Sequence, residues 1–365
     1  MSSRLHQLSA LGQSVWIDYL SRDLIESGAL ARAVDEDAVV GVTSNPSIFQ
    51  KALTHGHAYD EQIAAASTEG DGESVFLSLA LRDVAAACDL LRPVWERTEA
   101  RDGYVSIEVE PTLAANTEAT IAQAMRFHET IARPNLLVKI PATDAGVPAI
   151  EEMTARGYSI NVTLIFSLRR HRQIAEAYLR GLERFVAAGG DASRVHSVAS
   201  FFVSRVDTET DRRLAAAGSD DLKGRLGIAN AKLAYQQYKE LFAEERWEAL
   251  AARGATTQRC LWASTSTKDP SMRDTLYVDE LIGPETVSTM PAETIRAFQD
   301  HGRVEARLEI DLDEARYLFN QLYAAGVDYD DVVATLEREG IDKFVASFTE
   351  LLQGIADKRR QLAAA

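Results

Sequence analysis

Cysteine is nearly absent from this chain: Cys88 and Cys260 stand alone among 365 residues. Two unrelated positions supply neither a disulfide framework nor the paired spacing of a zinc cluster, and they fit a reduced compartment. Long hydrophobic runs are missing too. No stretch reaches the ~18 uninterrupted apolar residues of a membrane helix, and the opening MSSRLHQLSALGQSVWIDYL lacks an apolar core followed by a small-residue cleavage site. These absences point to a cytoplasmic protein. The sequence also has no phosphate loop of the G-x-x-x-x-G-K-S/T type, no dinucleotide fingerprint and no H-E-x-x-H. His55 and His57 lack Cys or acidic partners at ligand spacing, so no metal site is expected.

Basic residues are in deficit. Thirty-nine Lys and Arg against fifty-five Asp and Glu leave a formal charge of −16, which repels nucleic acid and anionic membrane. The local exception, Arg169, Arg170, His171 and Arg172, begins a helical pattern and reads as a solvated face. A dianionic ligand on such a molecule would need a small positive site built from one or two isolated cations.

What remains is the composition of a globular protein, 46% hydrophobic and 26% charged. Short β-rich runs alternate with helical patterns, the rhythm of βα units. Strands are predicted at Val15–Asp18, Val39–Val42, Tyr104–Val109, Asn135–Ile140, Ser159–Leu164, Arg194–Val198, Gln258–Ala263 and Glu285–Ser288. Eight strands close a barrel, so the expected fold is α/β: a single (β/α)₈ TIM barrel with additional helices, one domain over residues 1–365. Asn116 and Ser167 are placed to cap helices, Gly189–Gly190 to end one, and Pro291 to start one. The stretches Gln50 to Asp102 and His301 to Asp328 interrupt the spacing as helical decorations. A last helix, from about Asp342 with Phe344, Phe348, Leu351 and Leu352, is expected across a barrel end.

Barrel enzymes carry their reactive groups at the carboxyl ends of the strands. There the sequence offers Asp18, Asn45, Glu108, Lys139, Asn161 and Thr163. Lys139, within LLVKIPATDAG, is flanked by Leu137, Val138 and Ile140. Poor hydration favours the free amine that attacks a carbonyl, against the alternative of a lysine snorkelling to solvent. Glu108 and Asp18 supply two carboxylates that can divide the proton transfers of Schiff-base chemistry, or serve as acceptors for backbone N–H groups. Ser200 and Arg205 follow the sixth strand, and Ser264, Ser266 and Lys268 the seventh, where barrels often hold phosphate.

The segments GVTSNPSIF, VSIEVEPTLA, LLVKIPATDAG, YSINVTLIFSL, VASFFVSRVD, LWASTSTKDP and LIGPETVSTMP run in order from Gly41 to Pro291. In that order they resemble the transaldolase family in its longer form. The resemblance implies a Schiff-base lysine at Lys139, an acid/base aspartate at Asp18, and a glutamate at Glu108 that works with Thr163 through a water. It further implies substrate-hydroxyl binders at Asn45, Asn161 and Ser200, an aromatic beside the site at Phe202, and phosphate contacts from Arg205 and Ser264. Sugar phosphates are the implied partners, with no metal and no organic cofactor, and assembly stays open between monomer and homodimer. One departure stands out: Ser266 occupies the place of a second phosphate-binding arginine, which leaves Lys268 to replace it. An aldolase of the same Schiff-base type, releasing dihydroxyacetone, is the alternative enzyme. A barrel that only binds would be expected to have lost Lys139 or its carboxylates.

Overall fold

The runs VWI, VVGV, YVSIE, LLVKIP, INVTLI, SVASFF, RCLWA and TVSTM are apolar, rich in β-branched and aromatic residues, and too short for core helices. In the computed structural model, which describes residues 3–55, 57–65 and 72–364, each run forms a strand buried along most or all of its length. The strands are β1 (Gln13–Ile17), β2 (Val39–Val42), β3 (Tyr104–Glu108), β4 (Leu136–Pro141), β5 (Ile160–Ile165), β6 (Ser197–Phe202), β7 (Arg259–Ala263) and β8 (Thr286–Met290). They pair in parallel in chain order, and β8 returns to β1 with Gln13 opposite Thr286, giving a closed barrel with helices between the strands.

The second strand alone keeps both expected ends; the others shift by one or two residues at one or both ends, and the sixth by three and four. The sixth strand was expected at Arg194–Val198 but spans Ser197–Phe202, because Ala192–Arg194 forms a 3₁₀ turn capped by the Asp191 side chain. Ser200 and Phe202 therefore lie within the strand, and only Arg205 follows it. The eighth strand begins after Glu285, whose left-handed φ of 56° cannot continue a strand, and extends to Met290.

The expected caps form: Asn116 accepts from Ala119 N and Ser167 from Arg170 N, each at 3.1 Å. The basic run that Ser167 introduces is only half a solvated face. Arg170 and His171 are buried, and Arg170 reaches Asp144 at 2.7 Å and Glu337 at 3.5 Å. The decorations contain helices Asp60–Ala65, Gly72–Arg97 and Leu312–Ala324. The last helix, Tyr329–Ala364, starts earlier than expected and packs on the Pro46–His55 helix, with Ser47 Oγ donating to Ser347 Oγ at 2.8 Å. Among the described residues, no helix is long and apolar enough to cross a membrane.

The barrel interior is filled from below by Trp16, Tyr104, Leu137, Val198, Leu261 and Val287. Beneath them the Arg259 guanidinium meets Asp102 at 3.0 Å and donates to Ser14 Oγ at 2.9 Å, so the buried charge is paired. The Trp16 indole fits because β2 carries glycine opposite it: a Cβ on Gly41 would lie 2.5 Å from the ring. Gly41→Ala should therefore overpack the barrel and cost about 1–3 kcal/mol, read as a lower urea midpoint at unchanged slope. An unshifted midpoint would show that the indole can move aside.

Candidate active site

Side chains on adjacent parallel strands share a level when their residues are register partners and face the same side. Glu108 on β3 pairs with Lys139 on β4, which pairs with Asn161 on β5. All three end up in one row near the carboxyl end of the barrel. Thr163, paired with Pro141, stands one inward position higher. It immediately precedes Leu164, whose φ of 58° accompanies a break in the β5–β6 register between Val162 and Ile165. A left-handed backbone at a bulky residue is strained, and such strain concentrates at working sites.

Lys139 Nζ lies 3.2 Å from Glu108 Oε2 and donates to the Ser44 carbonyl at 3.1 Å. Both side chains are buried, at 8% and 4% exposure. Strand alternation sends Val138 and Ile140 into the barrel–helix layer, so the expected apolar collar of chain neighbours is not what surrounds the amine. Its surroundings are polar groups held in a dry place. Burial pushes the Glu108 carboxyl above the ordinary carboxylate range, Lys139 and Arg205 draw it back, and Asp18 adds to the rise.

The other expected residues gather at the same mouth. A cleft of about 590 Å³ is lined by Asp18, Asn45, Lys139, Thr163, Ser200, Phe202, Arg205, Ser264 and Lys268. Glu108 and Asn161, the neighbours of Lys139 in the same row, are not part of that lining. Asn161 is braced by two hydrogen bonds: its Nδ2 donates to Ser106 Oγ at 3.1 Å, and Ser200 Oγ donates to its Oδ1 at 2.7 Å. Asn45 Oδ1 accepts from Ile48 N at 3.1 Å, and its amide nitrogen donates to no group among the described residues. Thr163 Oγ1 is buried and has no hydrogen-bond partner among the described residues, a donor waiting for an acceptor.

Arg205 is the deeper cation. Its Nη1 is buried without a hydrogen-bond partner among the described residues, and burial weakens the guanidinium's hold on its proton while Glu108 and Asp18 act against that loss. Lys268 is exposed at the rim and donates to Ser266 Oγ at 2.7 Å. Ser264 exchanges a hydrogen bond with Ser204 at 2.8 Å, tying the loop after β7 to the helix that carries Arg205. Among the described residues, no group of three His, Cys, Asp or Glu could hold a metal ion. His57 instead pairs with Asp60, an acidic neighbour three residues on, at 2.7 Å, while the His55 side chain lies outside the described residues.

Several groups at the cleft lie outside the residues expected from the sequence. Thr43 donates to Asp18 Oδ1 at 2.8 Å and meets Thr289 at 3.0 Å, fixing the carboxylate from below. Ser44 offers a main-chain carbonyl, which no side-chain pattern reveals. Both stand in GVTSNPSIF, so the signal was their proximity to Asn45. Phe344, far away in the chain, lines the cleft as well and had no signal beyond a helical apolar stripe.

Set beside known proteins, the chain matches the family model described as transaldolase/fructose-6-phosphate aldolase over residues 15–355. It is 52% identical over 355 residues to a transaldolase of Mycobacterium tuberculosis (strain ATCC 25618 / H37Rv), covering 96% of this chain and 95% of that one. It is 51% identical over 361 residues to transaldolase 1 of Streptomyces avermitilis, covering 98% and 96%.

The buried Glu108 gives a pH test. Its folded carboxyl titrates above its unfolded value, so the folded state binds more protons over that interval and ionisation opposes folding. Stability relative to Glu108→Gln should therefore fall as pH rises from about 4.3, the ordinary glutamate value. Urea midpoints of both proteins from about pH 4 to 7 measure this. A constant difference between the two would show that the Lys139 ammonium fully offsets burial.

Proposed function

The chain belongs to the transaldolase/fructose-6-phosphate aldolase family, and from that premise we propose that it is a transaldolase. As one barrel domain of the cytoplasm, monomeric or homodimeric, it moves a dihydroxyacetone unit from fructose 6-phosphate or sedoheptulose 7-phosphate to an aldose phosphate, erythrose 4-phosphate or glyceraldehyde 3-phosphate. The observation that carries this reading is the Lys139 amine, buried 3.2 Å from a carboxyl group and open to the cleft.

Lys139 Nζ attacks the ketose C2 carbonyl and forms a carbinolamine. Loss of its hydroxyl as water needs a proton at oxygen. Glu108, whose buried position strengthens its hold on a proton, supplies it through a water held by the unpartnered Thr163 hydroxyl. Asp18, held by Thr43, takes the C4 hydroxyl proton as the C3–C4 bond breaks. The bond's electron pair moves into the iminium, leaving a neutral enamine on Lys139 and freeing the aldose phosphate. An acceptor aldehyde then reverses these steps. Asn45, Ser200 and Asn161 hold the three-carbon hydroxyls, so the enamine outlasts the exchange of aldehydes. Phe202 closes the apolar side of the cleft, while Ser264, Arg205 and Lys268 meet the phosphate.

Borohydride added with fructose 6-phosphate should fix a three-carbon fragment on Lys139, found by peptide mass analysis. Label at another lysine, or none, would end the proposal. Free dihydroxyacetone produced as fast with acceptor as without it would make the enzyme the aldolase instead.

The carboxylates should separate in the same assay. Asp18→Asn is expected to slow C–C cleavage by ~10²- to 10⁴-fold while still allowing the Schiff base to be trapped with a non-cleaved ketose. Glu108→Gln is expected to slow trapping itself. Equal trapping rates in both variants would remove Glu108 from the dehydration step.

Phosphate contacts should appear in KM, since the phosphate lies away from the breaking bond. Losing a charged hydrogen-bond partner costs about 1.5 to 3 kcal/mol, about 10- to 150-fold in binding. Arg205→Ala should raise KM for fructose 6-phosphate by about that factor and change little for unphosphorylated fructose. Lys268→Ala should do the same more weakly from its exposed rim position, and an unchanged KM would show that another group replaces the missing arginine.

A further inference from the structure

The phosphate end of the cleft has a single deep cation, and its guanidinium makes no ion pair among the described residues. Arg205 Cζ lies 5.0 Å from the Phe202 ring centroid and 5.6 Å from that of Phe344. A guanidinium within about 6 Å of an aromatic face is attracted by the ring quadrupole, most strongly where water is excluded. Phe202 and Phe344 are both buried, at 7% and 6% exposure. Rings leave the N–H donors unspent, and Nη1 accordingly has no hydrogen-bond partner among the described residues. A carboxylate in the same place would hold the guanidinium equally well but would consume those donors and repel a phosphate.

The two rings have different origins. Phe202 ends β6, three residues before Arg205, and moves with it. Phe344 belongs to the Tyr329–Ala364 helix, and three ties around it set its position. At Gly340 the helix passes so close to the barrel that an added Cβ would sit 3.2 Å from Leu164 and 3.4 Å from Phe166. At Glu337 it meets the buried Arg170 at 3.5 Å, and at Ser347 it bonds Ser47, two residues beyond Asn45. The helix is thus registered against the ends of β2 and β5, the elements that also carry the sugar-binding side chains.

Building on the transaldolase reading above, we propose that Phe344 is a positioning residue for phosphate recognition: it holds the Arg205 guanidinium edge-on to the cleft, so that phosphorylated sugars are selected by the C-terminal helix together with β6.

The test uses the full-length enzyme with fructose 6-phosphate as donor and erythrose 4-phosphate as acceptor. Phe344→Leu should raise KM for fructose 6-phosphate about 3- to 30-fold, the range expected for losing one desolvated cation–π contact. Phe344→Tyr, which keeps a ring face, should restore most of the loss. KM for unphosphorylated fructose should move much less. On an Arg205→Ala background Phe344→Leu should add nothing, because a residue that acts only through Arg205 has no effect in its absence. Circular dichroism and urea midpoints report folding. If Phe344→Leu fails that check, Phe344→Met, which fills similar volume without a quadrupole, is measured in its place.

An unchanged KM in the ring-less variant would overturn the proposal, as would an equal rise for both sugars or a full additional loss on the Arg205→Ala background. Arg205→Ala alone separates the two levels. If it leaves KM for fructose 6-phosphate unaltered, the phosphate assignment itself is wrong. If it raises KM while Phe344→Leu does not, only the role of Phe344 falls.

Discussion

The register of the parallel strands is the constraint on which the site depends. Because side chains alternate along a strand, a one-residue slip between β3 and β4 would turn Glu108 or Lys139 out of the barrel, and no local adjustment could bring them back together. The ladder that aligns Glu108, Lys139 and Asn161 is stabilised by apolar residues elsewhere: Val138 and Ile140 against the helices, Leu137 and its inward neighbours below. Packing thus aligns the row of polar side chains from outside it. The strained Leu164 and the left-handed Ser264 sit at the top of this arrangement, where a regular ladder would have continued past the cleft.

The charge of the cleft differs from that of so acidic a protein as a whole. The site holds its own balance of charge: Lys139 faces Glu108, while Arg205 stands among aromatic rings with carboxylates only at longer range. Many other arginines are held in surface ion pairs, such as Arg184 with Glu151 and Glu152 or Arg246 with Glu176 and Glu183. Such pairs contribute little to stability, but they neutralise cations that would otherwise attract anions elsewhere on the surface.

Much of this was legible before any coordinates. Strand positions followed from short apolar β-rich runs, and residues at strand ends were read as chemistry because barrels place it there. The failures have local causes. The sixth strand slipped because Asp191 caps a 3₁₀ turn in a segment whose composition also suits a strand. Arg170 and His171 were read as solvated because charge alone does not reveal a buried partner such as Glu337. Ser44 acts through its backbone, which every residue possesses. Phe344 lies 139 positions from Arg205, and nothing in an amphipathic stripe says which apolar side chain turns into a cleft.

The pairing of β1 with β8 also bears on how the chain reaches this state. Gln13 donates to Leu281 O and Thr286 Oγ1, partners 268 and 273 residues away in sequence. A ribosome delivers residues one after another, so β1 is made long before its neighbour exists and must wait with an open edge while seven further strands emerge. Contacts of such separation are entropically expensive to form, which makes closure a late and slow event. Throughout that interval the nascent sheet is a template for wrong pairing, and the Leu5 and Leu8 helix ahead of β1 is the first cover available to its outer face.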